Sequence, residues 1–220
     1  MDIVPLILSF KLALVTTVML VIIASPITYL IVYFRFPGKT FLDAFINLPI
    51  VLPPTVLGFY LLIWLGSNSS LGGLWESVFG MPLLFTFSAI VIASLIYNLP
   101  FAIQPMKAAF EKIDNRLLES AYILGLSRMK TFFRVIIPNS IPGIIASAIL
   151  VFVHTMGEFG VILMVGGSIP CKTRVASIAI YEAVEALRYQ DALFMSLALI
   201  PISYLFLLLI NRLNMNEVKR

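Results

Sequence analysis

Residues 12–34 read LALVTTVMLVIIASPITYLIVYF, 23 consecutive positions without a charge. A helix that crosses the hydrocarbon core of a bilayer needs roughly 20 such residues, so this stretch predicts a transmembrane helix. A cleaved signal peptide is the competing expectation. Its apolar stretch would be shorter, and Ser25-Pro26 is a poor small-residue cleavage site. Composition extends the reading to the whole chain. Of its 220 residues, 60% are hydrophobic and 12% charged, and the mean hydropathy of +1.03 lies outside the range of soluble globular domains.

Outward from this segment the pattern repeats. Arg35, Lys39 and Asp43 form a polar turn around Pro37-Gly38, and the uncharged run 44–75 that follows predicts a second span over 46–65. Residues 66–80, with Ser67-Asn68-Ser69-Ser70 and Gly72-Gly73, read as a polar loop before a third span over 83–106. The stretch 107–134 holds nine charged residues and must be solvated. Spans four and five are expected over 141–165 and 192–210. Between them, Val175, Ala176, Ala179, Ile180, Val184 and Leu187 recur at helical spacing opposite Ser177, Glu182, Glu185 and Arg188, which predicts a short surface or re-entrant helix. The fold class is therefore all-α and polytopic, with about five transmembrane helices and one short extracytoplasmic helix.

Five spans put the termini on opposite sides, and basic residues choose between the two orientations. With the 107–138 loop in the cytoplasm, eleven of the fifteen lysines and arginines are inside, Lys219 and Arg220 among them. Only Lys11, Lys172, Arg174 and Arg188 are outside. The positive-inside rule thus predicts an outer N-terminus and a cytoplasmic C-terminus. The net charge of +4 has its explanation here rather than in nucleic acid, because the basic residues lie in short segments between apolar runs.

Several chemistries are excluded. Cys171 is the single cysteine and His154 the single histidine, so neither a disulfide framework nor a zinc site of the usual kinds is expected, and no cofactor is implied. Gly38-Lys39-Thr40 looks like the end of a phosphate-binding loop, but Tyr33 stands where its first glycine belongs. An intramembrane hydrolase would need a nucleophile beside a base, and His154 and Glu158 offer neither serine nor cysteine at workable spacing. Glu158 is the only carboxylate within a span and no inverted repeat is evident, which argues against a gradient-driven carrier. A transporter of this composition needs a separate motor.

One loop supplies a docking element for such a motor. Glu119-Ser120-Ala121, then Gly125, then Val135, Ile136, Ile137 and Pro138 resemble the cytoplasmic loop of ABC importer permeases, whose pattern is Glu-Ala-Ala, three residues, Gly, nine residues, Ile-x-Leu-Pro. Asp114 is suited to cap a helix with Leu117, Leu118, Ala121 and Tyr122 on one face, Gly125 to end it in a left-handed conformation, and Ser127 to cap the next. An ordinary amphipathic surface connector is the plainer alternative. The resemblance implies that Glu119, Ser120, Ala121, Gly125 and Pro138 dock two copies of an ATPase subunit.

The stretch 48–60, LPIVLPPTVLGFY, and the elements Gly157-Glu158-Phe159-Gly160, Gly166-Gly167-Ser168-Ile169-Pro170 and Lys172-Thr173 resemble molybdate permease subunits over residues 8–211. Sulfate and thiosulfate permeases share the Glu-Phe-Gly element and give the alternative substrate, and tungstate could follow the molybdate route. The resemblance implies a homodimer served by an extracytoplasmic oxyanion-binding protein. Pro49, Pro53 and Pro54 remove backbone donors, which lipid tolerates only beside protein or a water-filled cavity. Pro53, Pro54, Thr55, Gly157, Glu158 and Gly160 are accordingly expected along the pathway or its gate, and Lys172 and Arg174 where the anion arrives. His154 and Glu158, four residues apart, are expected to form a direct structural pair, with histidine standing where the resemblance implies arginine.

Overall fold

The computed structural model describes residues 3–218; Lys219 and Arg220, counted above toward the cytoplasmic charge, lie outside the described residues. Helix α1 (Val4–Tyr33) is 30 residues long, about 45 Å, and α5 (Phe87–Glu111) has 25 residues. Both are long and apolar enough to cross a bilayer unbroken. Thr86 starts α5 by accepting from the Ala89 amide through its hydroxyl. α12 (Tyr189–Val218) contains the uncharged run expected for span five.

The second and fourth spans are bent, and the bends have local causes. α2 (Lys39–Val51) meets α3 (Pro54–Leu65) at 112°. Leu52 and Pro53 are extended there, because neither Pro53 nor Pro54 can donate to the preceding turn. Below span four, Arg128–Thr131 (α7), a π-helical turn (Phe132–Ile136) and Ile137–Asn139 (α8) lead to a 74° bend before α9 (Ile141–Gly157). The expected continuous helix over 141–165 is itself interrupted. Glu158 turns extended, with ψ 130°, and α10 (Gly160–Gly166) starts afresh.

Residues 66–80 differ from expectation. The structure has a helix there, α4 (Ser70–Phe79), capped by Ser69, whose hydroxyl accepts from the Gly72 amide at 2.9 Å. Gly72 and Gly73 look like loop residues in sequence, but a Cβ at Gly72 would lie 2.0 Å from the Gly66 carbonyl oxygen. The glycine is there for a close backbone approach, and the helix exposes Leu71, Leu74 and Val78. The remaining helices are α6 (Asn115–Ile123) in the charged loop and α11 (Ala176–Glu185), the short amphipathic element expected before span five.

α5 is the centre of the molecule. It packs on α1 and α9, which also pack on each other, while α3 and α10 cover another part of it. One core cluster joins Leu20 and Ala24 of α1 to Ala102, Ile103 and Met106 of α5 and Val151 of α9. Another joins Leu57 and Leu61 of α3 to Ala89 and Ala93 of α5 and Val161 and Val165 of α10. In lipid, helix association relies on close packing and interhelical hydrogen bonds, and both are present. Ser147 donates to the Ala102 carbonyl at 2.8 Å, and a Cβ at Gly143 would fall 2.3 Å from Cβ of Ala109. Gly143→Ala should therefore lower stability in detergent by about 1–3 kcal/mol, the usual cost of overpacking. Adding Ala109→Gly should recover part of the loss. Equal thermal unfolding of wild type and single variant would contradict this contact.

Candidate functional site

A helix break brings polar groups into an otherwise apolar interior at Glu158, only 5% exposed. Its Oε2 accepts from the Ser94 hydroxyl at 2.9 Å and from Asn98 Nδ2 at 3.2 Å, both on α5. Asn98 Nδ2 also donates to the Ser94 carbonyl. With the amide nitrogen committed, Asn98 Oδ1 is the acceptor toward His154, whose Nδ1 lies 2.8 Å away. The network thus assigns the proton to Nδ1 of the imidazole. Phe101 stacks on the His154 ring at 4.0 Å between centroids, and Tyr97 lies at 5.3 Å. Ser177 of α11 donates to the Glu158 carbonyl at 2.6 Å. Oε1 of Glu158 has no hydrogen-bond partner among the described residues.

The expected direct pair of His154 and Glu158 is corrected by this geometry. An i, i+4 pair requires both residues on one continuous helix, and α9 ends at Gly157. Asn98 bridges them instead. Ser94 and Asn98 were missed by sequence reasoning, although two polar side chains one turn apart in the apolar stretch 83–106 carried the signal.

Of the other pathway candidates, the structure brings Pro54 and Gly160 together. A Cβ at Gly160 would sit 3.0 Å from Pro54 Cβ, and one at Gly58 would sit 2.8 Å from Met164 Cβ. Gly160 also lies near the Thr55 amide, while Pro53, Pro54 and Thr55 are exposed. Gly157 is exposed with nothing near a Cβ built on it.

Lys172 and Arg174 differ in surroundings. Gly167, at φ 63°, and Thr173, whose hydroxyl donates to the Gly166 carbonyl, shape the loop that carries both. Lys172 is exposed, whereas Arg174 stands 3.9 Å from Glu182. Arg174 lines a cavity of about 190 Å³ with Glu182, Arg188 and Asp191, so part of its field is neutralised.

The 107–138 loop folds as its caps dictate. The Asp114 carboxylate accepts from the Arg116 amide at 2.9 Å, Gly125 has φ +79°, and Ser127 starts α7. Leu118 packs with Phe132 and Ile136 beneath α1 and α5 and Ala121 is also buried, whereas Leu117 and Tyr122 are exposed, so only half of the expected apolar face is buried. Glu119, Ser120, Gly125 and Pro138 are exposed. Beside them Ile123 is 86% and Leu124 80% exposed, an apolar tip that marks an interaction surface. Sequence reasoning missed these two because they lie at the helix end, off the expected stripe.

Known proteins share this architecture and sequence. The family described as "Binding-protein-dependent transport system inner membrane component" matches residues 18–216. The molybdenum transport system permease protein ModB of Azotobacter vinelandii is 43% identical over 94% of this chain and 91% of its own length. The putative molybdenum transport system permease protein YvgM of Bacillus subtilis is 35% identical over 94% and 92%. A probable sulfate transport system permease protein of Chlorella vulgaris is 34% identical over 84% of this chain and 69% of its own. Among solved structures, a bacterial alginate ABC transporter bound to a periplasmic protein superposes with a TM-score of 0.70 at 17% identity. That alignment covers 98% of this chain and 80% of the other, and it bears on the fold alone. With this match over residues 18–216, the chain belongs to the family of binding-protein-dependent transport system inner membrane components.

Proposed function

We propose that this protein is the permease subunit of an ATP-driven importer of molybdate, forming the translocation pathway over residues 8–211. The observation that carries the reading is 43% identity to a molybdenum permease across nearly the whole of both chains. Sulfate is the second reading, favoured by the Chlorella relative at lower identity and coverage. Two copies of the chain enclose the pathway, two ATPase subunits dock on the 107–138 loops, and an extracytoplasmic binding protein delivers the anion. The N-terminus is outside and the C-terminus cytoplasmic, as the basic residues require.

In this arrangement the chain itself does no covalent chemistry. Its work is to present an apolar tip and a capped helical hairpin to the motor, and to pass the resulting displacement into α9. The break at Glu158 supplies polar groups that Ser94, Asn98 and Ser177 satisfy within the membrane, and the exposed turn at Pro53, Pro54 and Thr55 lies along the pathway. No lysine or arginine lies deep in a span. Such a pathway conducts an anion without trapping it, and capture falls to the binding protein.

Reconstitution with the ATPase and binding protein should give ATP-dependent molybdate uptake that excess tungstate suppresses. Sulfate uptake of equal efficiency would replace the first reading by the second. Gly125→Val should abolish co-purification of the ATPase while the permease stays inserted, since a β-branched residue resists positive φ at a cost of roughly 1–2 kcal/mol. Intact co-purification and uptake would remove the docking role. Lys172→Gln should slow uptake more at low salt than at high salt, and more than Arg174→Gln, whose cation already faces Glu182. A salt-independent loss would exclude electrostatic attraction of the arriving anion.

A further inference from the structure

The inner end of α1 holds a cavity unrelated to the break at Glu158. It measures about 360 Å³ and is lined by Tyr29, Tyr33, Phe34, Arg35, Tyr122 and Arg128. Two of these are guanidinium groups, and neither makes an ion pair among the described residues. Arg128, at the start of α7, is held over the Phe34 ring at 5.3 Å, an arrangement that fixes the cation without neutralising it. Arg35 follows α1 by two residues.

The tyrosines add donors. Tyr33 is committed, donating to the Phe110 carbonyl at 2.7 Å. Tyr29 and Tyr122 line the same cavity, and each carries a phenolic O–H able to donate to a ligand. The walls are stiff. Tyr29 packs on Phe34 at 5.6 Å and on Phe132 at 4.9 Å, and Leu118 and Ile136 lie behind them in the same buried cluster. The acid whose field reaches Tyr33 is Glu111, which does not line the cavity.

We propose that this cavity binds a phosphate-type oxyanion, held between Arg35 and Arg128 and hydrogen-bonded by Tyr29 or Tyr122. Two cations facing a pocket with phenolic donors and no carboxylate match the charge and the acceptor-rich surface of such a group. The volume exceeds what a bare tetrahedral anion fills, and Phe36, next in sequence to Arg35, and Phe133, whose ring packs on Phe132 at 5.0 Å, are exposed. These features favour the phosphodiester headgroup of an anionic lipid as the source, with a free oxyanion as the other. Arg35 belongs to the transmembrane helix and its loop, whereas Tyr122 and Arg128 belong to the hairpin that carries Gly125. A bound anion therefore clamps the hairpin to α1 through charge. The inference concerns this chain alone and does not depend on which anion is transported.

The test uses the full-length protein in neutral detergent, with no ATPase and no transport step. Native mass spectrometry would record binding of short-chain phosphatidylglycerol, of short-chain phosphatidylcholine, and of inorganic phosphate and molybdate. Wild type would be compared with R35Q/R128Q and with K130Q, which removes a neighbouring exposed charge outside the cavity. We expect one phosphatidylglycerol whose affinity falls by at least about tenfold in the double variant and holds in K130Q. Preferential binding of phosphate or molybdate with the same arginine dependence would support the site and assign it to a free anion. Equal weakening by K130Q would reduce the effect to diffuse surface charge and overturn the proposal. So would retention of the anion in R35Q/R128Q. Should the double variant prove misfolded by thermal unfolding, Y29F/Y122F keeps both charges and must still weaken binding.

Discussion

Inside a bilayer no water is available to satisfy a free amide or carbonyl, and this constraint governs how the chain is arranged. Long helices such as α1 and α5 obey it by themselves. Each interruption must be met by other protein groups or by water. The Leu52-Pro53 bend leaves Pro53, Pro54 and Thr55 exposed, and the helix α3 that follows packs Leu57 and Leu61 on α5 and α10. The break at Glu158 has Ser94 and Asn98 of α5 on one side and Ser177 of α11 on the other. α5 is central because it packs on α1, α3, α9 and α10 and satisfies this break.

Satisfaction of the break is incomplete, and it shapes the site. Asn98 divides its amide between an acid and an imidazole, so the two share one residue of α5 rather than a bond of their own. The arrangement couples α9 to α5 through polar contacts that apolar packing could not position so narrowly. It also orients the imidazole, since a carboxamide whose nitrogen is committed to a carboxylate turns only its oxygen to a neighbour.

Much of this was legible in the sequence. Charge-free runs located the long helices α1, α5 and α12, with ends up to eight residues off, but not the interruptions of spans two and four, and the caps Asp114, Gly125 and Ser127 predicted the hairpin of the 107–138 loop because capping chemistry is local. What was not legible was where the backbone stops and turns. Residues 66–80 concealed a helix because Gly72 looks like a loop residue, whereas it is required by close approach to the Gly66 backbone six residues earlier, which periodicity does not show. The relation of His154 to Glu158 was misread for a similar reason: helical spacing assumes an unbroken helix, and nothing in Gly157-Glu158-Phe159-Gly160 alone forces the turn to stop. Ile123 and Leu124 escaped notice because an apolar residue at a helix end carries no periodic signature.

The contact of Gly143 with Ala109 and the bond from Ser147 to Ala102 lie within about one turn of each other at the lower part of α9. Together they pin α9 to α5 at one level. A second fastening lies near the other end, where His154 meets Asn98 and stacks on Phe101 of the same helix. The two levels are about seven residues, or roughly 10 Å, apart along α9. Two helices joined at two levels behave as a single beam, so a displacement of either one carries the break at Glu158 with it.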